Sequence, residues 1–135
     1  MNFEWKKELA TGIESLDSHH QGIFSRANTF LQKCEDGAGM AEISELLDDL
    51  EKYTKMHFSY EERLQQINNF SGLKNQQASH ALFLNDISEL RTALEINGPT
   101  KELVLLTKGK LIRWLTQHIG TMDKEFSVFV KQRQS

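Results

Sequence analysis

Residues 43–64 read ISELLDDLEKYTKMHFSYEERL, and this stretch decides the fold. Ile43, Leu46, Leu47, Leu50, Tyr53 and Leu64 recur at steps of three and four residues. That spacing gathers side chains on one face of an α-helix. His57 and Glu61 fall on the same stripe, four residues apart and so on one face. A helix that buries its stripe therefore carries an imidazole and a carboxylate inward. Burying either group costs several kcal/mol unless it is paired or bound to metal.

Three further segments repeat the pattern. Leu16, His20, Ile23, Phe24, Ala27, Leu31 and Cys34 form the first, which Asp36-Gly37-Ala38-Gly39 breaks. After residues 43–64, the run Asn68-Asn69-Phe70-Ser71-Gly72 breaks the chain again, with Ser71 as a candidate cap. Leu73, Gln76, His80, Phe83, Leu84, Ile87, Leu90 and Leu94 follow, up to Asn97-Gly98-Pro99. Pro99 suits the first turn of a following helix. The last stripe is Val104, Thr107, Leu111, Trp114, Leu115, His118, Met122, Phe126 and Phe129. Four helices with short connections predict an all-α, antiparallel, up-down-up-down four-helix bundle. The first dozen residues precede helix one and are expected to form an N-terminal arm anchored by Trp5.

The remaining composition narrows the class. A chain of 135 residues fits one domain, residues 1–135, large enough to bury a core without staples. Its single cysteine, Cys34, excludes an internal disulfide and suits a reducing compartment. The formal charge of −3 and the lack of a long basic run argue against nucleic acid as a partner. No apolar run approaches bilayer length, and Met1-Asn2-Phe3-Glu4-Trp5-Lys6-Lys7 lacks the apolar segment of a signal peptide. The expectation is a soluble cytoplasmic protein without membrane partners. Oligomeric state is not legible.

His20, His57, Glu61, Gln76, His80 and His118 all interrupt faces that should be buried. One such histidine is more often a hydrogen-bonded core residue than a ligand. Here, however, His20 and His80 lie early in helices one and three, while His57, Glu61 and His118 lie late in helices two and four. Antiparallel packing brings all of them to one layer at one end. Four imidazoles and a carboxylate in an apolar layer point to a metal, and helix bundles build di-iron sites from such inward Glu and His. Imidazole with carboxylate suits iron, and the near absence of thiols argues against a Cys-type zinc site. Periodicity leaves Asp123 undecided: five residues after His118 is about 140° further round an ideal helix, and Met122 has the better position for the core. By the same geometry His19 points away from His20 and reads as solvent-exposed. Glu62 also reads as exposed.

The motifs run through nearly the whole chain: Trp5, Thr11-Gly12-Ile13, Asp17-Ser18-His19-His20, His57-Phe58-Ser59-Tyr60-Glu61-Glu62, His80-Ala81-Leu82-Phe83, and Trp114 through His118 to Asp123. Together they resemble the hemerythrin family, specifically its bacterial single-domain type. The resemblance implies two iron ions per chain, joined by an oxo or hydroxo bridge. It implies His20, His57, His80 and His118 as iron ligands and Glu61 and Asp123 as bridging carboxylates. It also supplies the five-residue step from the last histidine to Asp123 as the family's own pattern.

One position departs from the family, which has five histidines, two of them four apart on helix three. Here the residue four before His80 is Gln76. Its amide oxygen is either a weak ligand or leaves an open or water-filled position. Alternatively, Gln76 fills space and hydrogen-bonds a bound water. The resemblance implies an O2-binding protein, whether carrier, store, sensor or scavenger, whose ligand is O2, another small diatomic or peroxide. An apolar sleeve of Ile23, Phe24, Phe83, Leu84, Leu115 and Ile119 would admit such gases. The alternatives are a di-iron oxidase or peroxidase, and a bundle with a decayed site that binds a partner.

Overall fold

The structure is a computed structural model that describes residues 5–134. Residues 1–4 of the expected arm, and residue 135 of the expected domain, lie outside the described residues. Four long helical rods form the fold: α1 (Glu14–Glu35), α2 (Met40–Ile67), α3 (Leu73–Asn97), and a fourth made of α4 (Lys101–Gln117), a π-helical segment (His118–Asp123) and α5 (Lys124–Gln134). A short 3₁₀ turn, Lys7–Leu9, precedes them. Among the described residues there is no strand, and no helix is long and apolar enough to cross a membrane.

Each boundary has a local cause. The Asp17 carboxylate accepts hydrogen bonds from Thr11 N (2.7 Å), Thr11 Oγ1 (2.8 Å) and Gly12 N (3.0 Å), which folds the arm back onto the start of α1. Lys131 Nζ ties the same turn to α5 by donating to Thr11 O at 2.9 Å. Gly98, at φ 71°, closes α3 with its N–H on Leu94 O at 2.8 Å, a left-handed position that glycine occupies without steric cost. Two expected caps differ. Ser71 does not cap α3, because Gly72 holds the N-cap position and no side chain bonds there. Pro99 lies just outside α4 rather than in its first turn: Thr100 is the N-cap, its side chain accepting from Leu103 N at 3.2 Å.

Pairs between rods fix their directions. The end of α1 meets the start of α2 through Lys33 and Glu42 (3.3 Å), while Tyr60 Oη, late in α2, donates to Ser15 Oγ at 3.0 Å. Arg91 of α3 reaches back to Asp48 and Glu51 of α2, and Lys110 of α4 to Glu89 of α3. Neighbours are thus antiparallel, and α4 closes the bundle against α1.

Two apolar clusters fill the interior. The larger runs from Ile23 and Phe24 through Phe30, Leu47, Leu50, Phe83 and Ile87 to Leu115 and Ile119, with Trp5 and Leu9 of the arm packed on it. The smaller, Leu16, Phe126 and Val130 with Leu64, Phe70 and Phe129, seals the other end. Between them lies a buried polar layer: His20, His57, Glu61, Gln65, Gln76, His80, His118 and Asp123.

Candidate metal centre

The four helical rods deliver these side chains to one layer. His20 comes from α1, His57 and Glu61 from α2, His80 from α3, and His118 and Asp123 from the two ends of the π segment. All six are buried, Glu61 and Asp123 completely. They form two groups of donor atoms, His20, His57, Glu61 and Asp123 in one and Glu61, His80 and His118 in the other, each within 4.8 Å. Each of these four histidines turns Nε2 toward the carboxylates, and each carboxylate divides its two oxygens between the two sides. Glu61 Oε1 stands 3.0 Å from His80 Nε2 and 3.7 Å from His118 Nε2, while Oε2 faces His57 Nε2 at 3.9 Å. Asp123 Oδ1 lies 3.1 Å from His118 Nε2, and Oδ2 lies 3.0 Å from His20 Nε2. The contact to His20 is close but out of line for a hydrogen bond, and both nitrogens of His20 have no hydrogen-bond partner among the described residues.

The π segment resolves the position of Asp123. On an ideal α-helix the fifth residue after His118 would face away, and Met122 would take the core. A π-helix bonds i→i+5 and turns less per residue than an α-helix, which swings Asp123 back toward the face of His118. Asp123 is fully buried and Met122 is only half-buried.

Around this layer the outer nitrogens of three histidines are held. His57 Nδ1 lies 2.9 Å from Nδ1 of His19. His80 Nδ1 lies 2.7 Å from Glu62 Oε2. His118 Nδ1 lies 2.8 Å from Ser79 Oγ, whose own carbonyl accepts from Trp114 Nε1 at 3.3 Å. Two expectations are corrected here. His19 is half-buried and bonded to His57 rather than solvent-exposed, because a side chain 100° from the core stripe still reaches the seam with α2. Glu62 is half-buried for the same reason, on the seam with α3. Aromatic rings clamp the second pair of histidines. Phe58 stacks on His80 (3.8 Å, 8°) and Trp114 on His118 (4.3 Å, 11°). Of the anticipated sleeve, Ile23, Phe24, Phe83, Leu115 and Ile119 are buried and Leu84 is half-buried.

Gln76 also enters the layer. Its Nε2 donates to Asp123 Oδ1 at 3.1 Å, an orientation chemistry requires, since a carboxylate accepts and only the amide nitrogen donates. Its Oε1 has no partner among the described residues. Sequence inspection missed Gln65, one turn beyond Glu61 on the same face. It is completely buried, with neither amide atom partnered among the described residues. The signal was there: Gln65 continues the spacing of His57 and Glu61.

Charge in this layer is strongly redistributed. Burial and the neighbouring His20 hold His57 well below the usual imidazole range, so it stays neutral. Burial would also lower His118, but the Asp123 and Glu61 carboxylates override it and push it up to about 9. Burial would raise Asp123, yet His118 and His20 hold it well below the usual carboxylate range. Imidazole Nε2 atoms facing carboxylate oxygens, with the outer nitrogens of three of the four rings already bonded, form a donor set suited to cations of the iron and zinc kind. Two carboxylate oxygens without hydrogen-bond partners among the described residues, Glu61 Oε2 and Asp123 Oδ2, are the atoms a metal would satisfy.

Comparison with known proteins agrees. Residues 11–129 match the family model for the hemerythrin HHE cation-binding domain. A bacteriohemerythrin of Pseudomonas paraeruginosa is 30% identical over 131 residues, 97% of this chain and 83% of the relative. A myohemerythrin of Riftia pachyptila is 29% identical over 124 residues, covering 92% and 90%. A bacteriohemerythrin of Clostridium acetobutylicum is 23% identical over 127 residues, covering 92% and 98%. With the histidines and carboxylates gathered in one buried layer and the match spanning nearly the whole chain, this protein belongs to the hemerythrin family.

Proposed function

We propose that the chain, as one hemerythrin-like domain, holds two irons and uses them to bind O2. The observation that carries this is the division of the two carboxylates, each offering one oxygen to the His20–His57 side and one to the His80–His118 side. In this assignment His20 and His57 would hold one iron, His80 and His118 the other, with Glu61 and Asp123 offering an oxygen to each. When bound, two irons supply the two electrons that O2 takes up on reversible binding. The protein's part is to set the geometry and shield the site from bulk solvent. Outer bonds from His19, Glu62 and Ser79 fix the rings, and the sleeve admits an apolar gas.

Relative to the family pattern the His80–His118 iron lacks one imidazole, and Gln76 stands there with an amide. That amide, bonded to Asp123, favours a second reading: an oxidase or peroxidase whose extra open position turns O2 or peroxide over. Anaerobically reduced protein mixed with O2 separates the two. A carrier takes up one O2 per pair of irons and releases it under vacuum. Continued consumption of O2 or peroxide with added reductant supports the enzyme, and no uptake by iron-loaded protein contradicts both.

A further inference from the structure

The two buried glutamines belong to one place. Antiparallel packing sets Glu61 beside His80, so a turn further along α2 stands level with a turn earlier on α3. Gln65 is that residue on α2, and Gln76 is its counterpart on α3. Both are buried, Gln65 at 0% and Gln76 at 1% exposure. Between them three amide atoms have no partner among the described residues: Gln65 Oε1, Gln65 Nε2 and Gln76 Oε1. The fourth, Gln76 Nε2, is committed to Asp123. Buried polar atoms in native proteins are almost always hydrogen-bonded, so three at one level ask for a ligand.

The ligand's chemistry follows from the inventory. Two free carbonyl oxygens accept and one free NH2 group donates. A complementary molecule is small, carries two O–H donors and offers a lone pair. Water and hydrogen peroxide fit that description, whereas O2 and azide have no hydrogen to donate. We propose that Gln65 and Gln76 form a binding pocket for such a molecule, set against Asp123 and the His80–His118 half of the centre. The location rests on the di-iron reading, while the pocket itself rests on the amides. A pocket of this kind makes that half of the centre polar, favouring peroxide or water over O2 there.

The test uses iron-loaded, oxidised protein and the variants Gln65→Met and Gln76→Met, which nearly keep side-chain length and volume but remove the polar atoms. Hydrogen peroxide and azide are titrated separately by visible absorption. One lost hydrogen bond corresponds to about a tenfold weaker peroxide affinity, with azide changing less than about threefold. The thermal midpoint of Gln65→Met, the variant that breaks no side-chain bond to protein, falls by about 3 °C or more, because the bonds to the held molecule are gone; Gln76→Met also loses its bond to Asp123 and is read by affinity alone. A crystal structure of the natural protein shows one ordered molecule within hydrogen-bond distance of both amides. If peroxide affinity is unchanged but the midpoint falls and the ordered molecule is present, the pocket holds water alone. If affinity is unchanged, the midpoint rises and the amides bond only protein groups, the proposal is overturned. If the variants fail to fold, the crystal structure of the natural protein decides. Protein that retains no iron would instead contradict the di-iron reading, leaving the midpoint and the ordered molecule to judge the pocket.

Discussion

Glu62→Ala probes how far the bonds behind the histidines set metal affinity. Glu62 Oε2 lies 2.7 Å from His80 Nδ1, and its side chain is 27% exposed against 2% for His80. The bond fixes the ring so that Nε2 faces Glu61, and it raises the ring's basicity as a ligand. A hydrogen bond to an ionised group contributes about 1.5–3 kcal/mol, and partial exposure takes the lower end. That is about a tenfold loss of affinity, confined to the His80–His118 half. Glu62→Gln keeps an acceptor without charge and should lose about threefold. The assay is an anaerobic titration of metal-free protein with Fe²⁺ against a competing chelator. One of two binding steps should weaken in Glu62→Ala while the other holds. Two unchanged steps, or two steps weakened equally, would refute the assignment of Glu62 to His80 alone.

Gln76→His should add an imidazole one turn before His80, on the same face. In stopped-flow mixing of reduced protein with O2, the colour that develops should then decay more slowly than in the natural protein; identical decay would mean position 76 does not govern oxygen chemistry. The metal-free protein should be most stable near pH 6.5. His118, raised to about 9 from 6.5, gives stability that is full below 6.5 and lost as pH rises through 9. His57, held low, gives stability that is lost as pH falls below 6.5. Each limb is at most about 1.4 kcal/mol per pH unit. Thermal midpoints from pH 5 to 9 that rise monotonically would contradict this. Asp17→Ala removes the acceptor of three bonds in the arm turn and should cost about 1–3 kcal/mol in chemical denaturation, without changing iron content.

Helices and most of the polar layer were legible because both express one period. Leu47, Leu50, His57 and Glu61 share a stripe, and antiparallel packing carries each stripe's polar residues to one end. Asp123 was not legible from periodicity, since the π segment changes the period at that point. Family resemblance supplied it instead, and the wider turn of the π segment gives the physical reason. His19 and Glu62 lie on the flanks of their stripes, where exposure depends on how closely the neighbouring helix approaches. The approach on the His19 flank is tight: a Cβ on Gly22 would collide with Tyr53 Oη. Gln65 was readable by spacing, but a lone glutamine carries no chemical signal until a second stands level with it. Ser71 and Pro99 show the ordinary uncertainty of helix ends, where cap chemistry alone shifts a boundary by a residue or two.

Iron content after anaerobic reconstitution, measured on the natural protein and on Glu61→Ala, tests the shared-carboxylate centre most directly. Glu61 is completely buried and offers one oxygen to each side, so in the proposed assignment its loss would remove a ligand and a negative charge from both metals at once. Two irons per natural chain, and fewer than one in Glu61→Ala, is the predicted result. A natural chain that takes up one iron or none, or a Glu61→Ala protein that keeps two, would contradict it.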